Sequence, residues 1–411
     1  MSILRGNAVV GQSGGPTAAI NATLSGVIRG ALEAKESGAI GTLYGMRNGI
    51  EGFLREDFVD LFKFFEDTDE LAVLEATPAA ALGSCRKKLK SHEVDGETYA
   101  EILRILKKYD IRYFFYIGGN DSMDTVDKLS RYAASNDYEL RVVGVPKTID
   151  NDLTATDHTP GFGSAAKFVA TTVKEILRDV SVYTMKAVTI VEIMGRDAGW
   201  LTTAAALPVL SGGKAPALIY LPERAFDVDA FIADVERAFL DNPAVLVAVS
   251  EGIRLADGSY VGAGIGGKLD AFGHVQLSGA GKVLEGIVKE RLGCKARSIE
   301  LSLTQRCASH IASLTDISES VRAGRGAVEA AVSGKTGIMM TILREEGEEY
   351  SSRISYSNVC DIANEVKTVP QNYINEAGNG LTEECLNYLA PLIMGELAIK
   401  YENGLPKHVV I

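Results

Sequence analysis

Short apolar runs recur along the chain, and most close on a glycine-bearing polar turn before a stretch of helical periodicity begins. Residues 5–10 run into Gly11-Gln12-Ser13-Gly14-Gly15-Pro16-Thr17, and Ala18–Glu33 then reads as a helix. Ala39–Tyr44 reads as a strand before a second glycine turn, and residues 55–80 look irregular and acidic. Leu82-Gly83-Ser84-Cys85-Arg86-Lys87-Lys88 reads as a basic turn and Thr98–Lys108 as an amphipathic helix. Tyr113–Ile117 and Arg141–Val145 are strand-like, with a helix over Ser122–Asn136 between them. Strands alternating with helices in this way predict a parallel, doubly wound sheet.

The rhythm restarts after residue 161. A long helix over 161–182 precedes a strand over 187–193, which ends in Met194-Gly195-Arg196-Asp197-Ala198-Gly199-Trp200 and a further helix. Ala217–Leu221, Ala244–Val249 and Arg297–Leu303 are expected strands, 283–293 and 318–334 expected helices. Gly337–Arg344 and Glu348–Ser355 predict a hairpin, and 380–402 reads as helix and loop. The pattern implies two α/β domains with no low-complexity linker between them.

Composition narrows the function. The chain has 411 residues, enough for a large core in two domains. Its 42 basic and 54 acidic side chains leave a net charge of −12, which argues against a nucleic-acid surface. A local basic pocket for a small anion remains compatible with that charge. Five dispersed cysteines without a CxxC or CxxH pattern suit a reduced, cytoplasmic protein without structural zinc. No signal-peptide pattern and no apolar run of membrane-spanning length is present in this sequence. Five histidines, including His158 and His274, show no HxxxH or triad-like grouping.

The turns hold the candidate chemistry. In an open parallel sheet, turns after strands gather at the strand carboxyl ends, where ligands bind. Ile117-Gly118-Gly119-Asn120-Asp121-Ser122 and Pro146-Lys147-Thr148-Ile149-Asp150-Asn151-Asp152 would meet there. Close carboxylates such as Asp150 and Asp152 perturb one another, so one can serve as a base while the other orients groups or a metal. Asn120 and Asp121 can offer oxygen to magnesium, and Asp121 or Ser122 can equally cap the next helix. The Gly14-Gly15 turn, between a strand and a helix, suits phosphate but matches neither GxGxxG nor GxxxxGK[ST]. Lys147 can act as a point charge on phosphate, and Arg196, Arg297 and Arg306 as forks.

Taken together, these turns resemble the phosphofructokinase family. The resemblance is carried, in family order over roughly residues 5–310, by Gly14-Gly15, Gly118–Ser122, Pro146–Asp152, Met194-Gly195-Arg196, Ser250-Glu251-Gly252 and Gln305-Arg306. It implies two Rossmann-like three-layer domains with mostly parallel sheets and an active site in the crevice between them. Residues 1–161 with part of 305–355 would bind the phosphoryl donor, and 162–304 with part of 356–411 fructose 6-phosphate. The resemblance makes Asp150 the base for the sugar 1-hydroxyl and sets Asp152 beside it. Thr148, Met194, Gly195, Arg196 and Glu251 would touch the sugar phosphate. Arg306 and Arg297 would hold its 6-phosphate, with Arg297 donated across a subunit interface of a homodimer or homotetramer. Gly14, Gly15 and Ser122 would lie under the donor phosphates, Arg86 would meet the transition state, and Asn120 would serve Mg2+.

Asp121 and Lys147 stand where ATP-using members carry glycine. A carboxylate there would crowd and repel the α-phosphate of ATP, and the lysine would offset the charge of a smaller donor. The expected donor is therefore pyrophosphate, with an ATP-dependent enzyme as the alternative and a non-catalytic sugar-phosphate subunit as a rival of another class. Other sugar phosphates, such as sedoheptulose 7-phosphate, are expected side substrates. This chain departs from the family pattern at Asn120, where many members have aspartate, and at Leu303 and Ala187. Lys367-Thr368-Val369-Pro370 and Tyr373 have no expected role in chemistry and are read as packing.

Overall fold

The computed structural model describes residues 3–262, 279–362 and 366–411, so His274 lies outside the described residues. Eleven strands form its two main sheets: β1 Gly6–Gln12, β2 Ile40–Met46, β3 Phe58–Asp60, β4 Ile111–Gly118, β5 Arg141–Pro146, β6 Ala187–Ile193, β7 Leu218–Tyr220, β8 Ala244–Ser250, β9 Lys295–Glu300, β10 Ile338–Arg344 and β11 Ser352–Asn358. The larger sheet has the order β11-β10-β5-β4-β1-β2-β3 and the smaller β7-β8-β6-β9. All pairings in the smaller sheet are parallel, and in the larger one only the flanking strands β3 and β11 run antiparallel.

β1, β4 and β5 are buried along nearly their whole length, which is why they read as continuous apolar runs rather than alternating ones. Helices cover both faces of the larger sheet. Ile20–Glu36 and Leu314–Val332 pack on one face, and Gly96–Lys108 and Asn120–Ser135 help to enclose the core on the other. The first pair approaches unusually closely. A methyl on Gly26 would sit 2.1 Å from the Val321 carbonyl, and one on Gly324 2.1 Å from the Thr23 carbonyl. Glycine is required at both positions for the helix backbones to touch.

Both sheets reverse strand order at a central strand. β1 lies between β2 and β4, and β6 lies between β8 and β9. A parallel sheet opens a crevice at such a point, because successive connections leave to opposite sides. The turns after β1, β4 and β5 line one wall of a common cleft, and those after β6, β8 and β9 contribute to the other.

Three local expectations shift. Residues 55–80 fold into β3 and the short helices Leu61–Phe64 and Glu70–Glu75, because Leu61, Leu71 and Leu74 reach the core between acidic positions. β9 stops at Glu300, and Ser302–Arg306 winds into a 3-10 turn. The expected hairpin pairs Arg344 with Ser352, so its second strand starts later than the apolar pattern suggested.

Candidate active site

The cleft has a volume of about 510 Å3 and gathers turns from both sheets. Its first wall is a set of turns clipped together by backbone hydrogen bonds. Ser13 N–H donates to the Ile117 carbonyl (2.9 Å), Gly14 N–H to Cys85 (3.1 Å) and Lys147 N–H to Gly118 (2.9 Å). The Ser84 hydroxyl donates to the Gly14 carbonyl at 2.6 Å, which brings the basic turn holding Arg86 against the glycine turn. Asn120, Asp121 and Ser122 form the first turn of a helix capped by Gly119, with no side-chain cap bond. All three line the cleft and the N-cap is Gly119, so the capping alternative gives way to a helix N-terminus at the cleft, an end that favours an anion.

Asp150 and Asp152 emerge from the turn after β5. Between them Asn151 is fully buried with φ 54°, a left-handed conformation that asparagine tolerates better than most residues. The Thr148 side chain accepts from the Asp150 N–H at 3.1 Å. Burial and the neighbouring Asp152 push the Asp150 carboxyl up to about 7, against the pull of Arg196, Lys147 and Arg306. Burial also raises Asp152. Lys147 is 3% exposed and its ammonium donates to the Gly15 carbonyl at 2.5 Å. Burial draws its pKa down to about 8, although Asp150 resists the shift. A carboxyl group raised toward neutrality and an ammonium lowered toward it thus belong to one turn.

The second wall descends from β6 and β8. Gly195 has φ 139°, where a side chain would be strained, and its N–H donates to Glu251 Oε1 at 3.3 Å. Ser250 donates to the Gly195 carbonyl at 2.6 Å, so the turns after the two strands are tied together. Burial raises Glu251 to about 7. Met194, Arg196 and Glu251 line the cleft, while Gly195 supports them from behind. The 3-10 turn after β9 delivers Arg306 to the cleft, and the buried Gln305 beneath it accepts from Met194 N–H at 3.2 Å. Burial and the nearby Arg86 lower the Arg306 pKa.

Of the site residues expected from the sequence, Arg297 alone lies far from this assembly. It sits mid-strand on β9 opposite Thr189, exposed beside Asp179, Tyr183 and Met185. Leu303 is 57% exposed and does not line the cleft. The structure also adds residues. Ser13, Thr17 and Asp197 line the walls, and Lys88 pairs with Asp121 at 3.0 Å. Lys88 follows Arg86 in the basic turn, but spacing alone did not show which of Arg86, Lys87 and Lys88 turn inward.

The donor set suits a magnesium ion. Asn120, Asp121, Asp150 and Asp152 offer oxygen as ligand atoms, and burial raises the pKa of Asp150 and of Asp152. Magnesium takes one or two carboxylates and completes its shell with phosphate and water. Among the described residues no group of three or more His, Cys, Asp or Glu is placed to hold a metal ion by itself, so phosphate and water would have to complete the shell.

The phosphofructokinase profile matches residues 7–331, which include every cleft residue named above. The chain belongs to the phosphofructokinase family. Phosphofructokinase relatives match it nearly end to end. It is 44% identical over 407 residues to the pyrophosphate–fructose 6-phosphate 1-phosphotransferase of Xanthomonas campestris pv. campestris, covering 98% of this chain and 96% of that one. A protein of the same name from Halomonas elongata is 42% identical over 403 residues, covering 98% and 95%. The crystal structure of a pyrophosphate-dependent phosphofructokinase from Nitrosospira multiformis superposes with a TM-score of 0.88 at 39% identity, covering 98% of this chain and 95% of that one. The phosphofructokinase fold and its two-domain arrangement are thus those of this chain. Among the described residues, no helix is long and apolar enough to cross a membrane.

Proposed function

We propose that this protein transfers a phosphoryl group from pyrophosphate to the 1-hydroxyl of fructose 6-phosphate, giving fructose 1,6-bisphosphate and phosphate. The observation that carries the reading is the donor end of the cleft. Asp121 stands in the first turn of its helix, held by Lys88 at 3.0 Å, and Lys147 is buried under the Gly14-Gly15 turn. A nucleotide would have to pass a carboxylate there, whereas two linked phosphates need only the cations already present.

Asp150 takes the proton from the sugar 1-hydroxyl, and the resulting oxygen nucleophile attacks the near phosphorus of pyrophosphate. The bond from that phosphorus to the bridging oxygen breaks, and the departing phosphate keeps the electron pair. Phosphoryl transfer of this kind depends on alignment and charge neutralisation. Lys147 and Arg86 neutralise charge on the transferred group, and the helix N-terminus at Asn120–Ser122 receives the departing phosphate. Thr148, Met194, Gly195, Arg196 and Glu251 hold the sugar phosphate, with Arg306 on its 6-phosphate. Asn120, with Asp121 sharing, would hold Mg2+, which when bound draws charge from the phosphate oxygens. We take the halves of the cleft as the domains expected from the sequence, the first wall binding donor and the second wall sugar. One phosphoanhydride is traded for a phosphoester without a nucleotide, so turnover in both directions is expected.

Arg297 acts in a second copy of the chain in this reading. Its place on the open edge strand β9, near exposed Val182, Tyr183 and Met185, supports that assignment. The deciding experiment is a coupled assay with fructose 6-phosphate and magnesium, comparing pyrophosphate and ATP on one preparation. Turnover with pyrophosphate alone is expected. Turnover with ATP would defeat the donor argument, and turnover with neither would move the reading to a non-catalytic or different-acceptor protein.

A further inference from the structure

The C-terminal segment reaches the reacting turn from behind. Lys367 sends all three of its ammonium protons to one loop: the Asn151 side-chain oxygen (3.2 Å) and the carbonyls of Thr156 (3.2 Å) and Asp157 (2.8 Å). Its backbone N–H donates to the Asp152 carbonyl at 2.8 Å. One residue therefore makes four bonds to the loop Asn151–Asp157. A buried ammonium is costly to desolvate unless all its donors are matched, and here they are matched by that loop alone.

The same segment is fastened to the sugar wall. The Lys367 carbonyl accepts from the Trp200 indole N–H at 2.8 Å, and the ammonium lies 5.3 Å from the Trp200 ring centre. Two residues on, Val369 N–H donates to Glu223 Oε1 at 2.9 Å. That oxygen also accepts from Gly199 N–H at 2.9 Å. Gly199 and Trp200 close the turn that presents Arg196. Residues 367–369 thus span from the turn after β5 to the turn after β6, one in each sheet.

A second brace comes from Tyr388 in the helix Glu383–Leu389. Its hydroxyl accepts from the Asn151 amide at 3.0 Å and donates to the Asp157 carbonyl at 2.7 Å. The Asn151 side chain is therefore held by Lys367 on its oxygen and Tyr388 on its nitrogen, with Thr159 N–H also donating to the oxygen at 3.2 Å. This matters because the left-handed φ of Asn151 sets the directions in which Asp150 and Asp152 leave the chain.

We infer that Lys367 is a positioning residue: its ammonium, through Asn151, fixes Asp150 and Asp152, while the backbone of residues 367–369, through Trp200 and Glu223, ties that loop to the turn after β6. Lys367 does not line the cleft, although its neighbour Val366 does, so it acts through other residues and not on substrate. The catalytic consequence rests on the proposed phosphoryl transfer; the brace itself does not.

The test uses Lys367→Met, Tyr388→Phe and the double variant in the full chain, with Tyr401→Ala on the exposed C-terminal hairpin as control. Two readouts are taken: amide hydrogen exchange over residues 149–159, and kcat and KM with pyrophosphate and fructose 6-phosphate. Lys367→Met is expected to speed exchange in that loop and to lower kcat by about 10–100-fold, because small displacements of reacting groups are that costly. Both KM values stay within about threefold, since binding groups are untouched. Tyr388→Phe gives a smaller loss, and the double variant loses less than the product of the two, because both act on Asn151. Wild-type kcat and exchange in Lys367→Met overturn the inference, as does a rise in KM alone. If Lys367→Met does not fold, Tyr388→Phe decides on the same criteria. A wild-type protein without pyrophosphate turnover defeats the proposed function, while exchange still decides whether Lys367 braces the loop.

Discussion

Asp150 and Lys147 titrate toward each other, and the direction of each shift sets the expected pH dependence. Burial and Asp152 raise Asp150 to about 7, so below that pH the proposed base is protonated and turnover is expected to fall. Glu251, raised by burial to about 7, adds to the same limb. Lys147, lowered by burial to about 8, loses its charge above that pH, and the proposed donor site is expected to weaken. A plot of kcat/KM against pH in the free enzyme is therefore expected to be bell-shaped with limbs near 7 and 8. Lys147→Met should remove the alkaline limb together with most activity. Asp150→Asn keeps shape but removes the base, and kcat should fall by about 100–10,000-fold with KM little changed. An Asp150→Asn enzyme within tenfold of wild type would exclude Asp150 as the base. At the donor end, Asp121→Gly with Lys147→Gly should lose pyrophosphate turnover; retention of it would mean that these positions do not select the donor.

At the level of elements, the loop that holds the reacting turn is anchored by a buried charge array outside the cleft. His158 lies between Asp157 (2.8 Å) and Glu319 (2.6 Å), and Glu319 also accepts from Tyr350 at 2.6 Å. The array joins the loop before the helix Phe162–Val180 to the helix Leu314–Val332 and to the β10–β11 hairpin. Despite burial, bonds to the two carboxylates raise His158, and bonds to His158 lower Asp157 and Glu319. The histidine contribution is complete below its unfolded value near 6.5 and fades as pH rises through its higher folded value. The carboxylate contributions are complete above their unfolded values and fade as pH falls through their lower folded ones. His158→Ala leaves the buried Glu319 with hydroxyl partners but no cation, and should cost about 3–5 kcal/mol in denaturant unfolding at pH 6. A loss below 1 kcal/mol would show that the array does not anchor the loop. The order of these elements was legible in the sequence, because apolar runs closed by glycine turns report strand ends directly. The array was not: His158 and Glu319 are 161 residues apart, and no local pattern pairs them.

For the whole molecule, the cleft joins turns from two sheets, and one expected residue stays outside it. If Arg297 serves a neighbouring copy, Asp150→Asn and Arg297→Ala chains, each nearly inactive, should regain partial activity when dissociated, mixed and reassociated. In the mixed assembly one site draws Asp150 and Arg297 from wild-type positions. No recovery from a mixture proven to exchange subunits would remove Arg297 from the site.

The sequence by itself determined which side chains the turns carry and the α/β rhythm that sets them in place. Both are local properties: strand periodicity spans a few residues, and Thr148–Asp152 or Met194–Arg196 are contiguous. Tertiary structure alone decided that Lys88, and not only Arg86, faces the cleft, and that Arg306 arrives on a 3-10 turn while Leu303 points outward. It also decided that Lys367, more than 200 residues from Asn151, braces the reacting turn. Such outcomes depend on how whole helices and sheets pack, and on the desolvation that packing imposes. The raised Asp150 and lowered Lys147 belong to the same class, because burial is a property of the assembled fold and of no single stretch of chain.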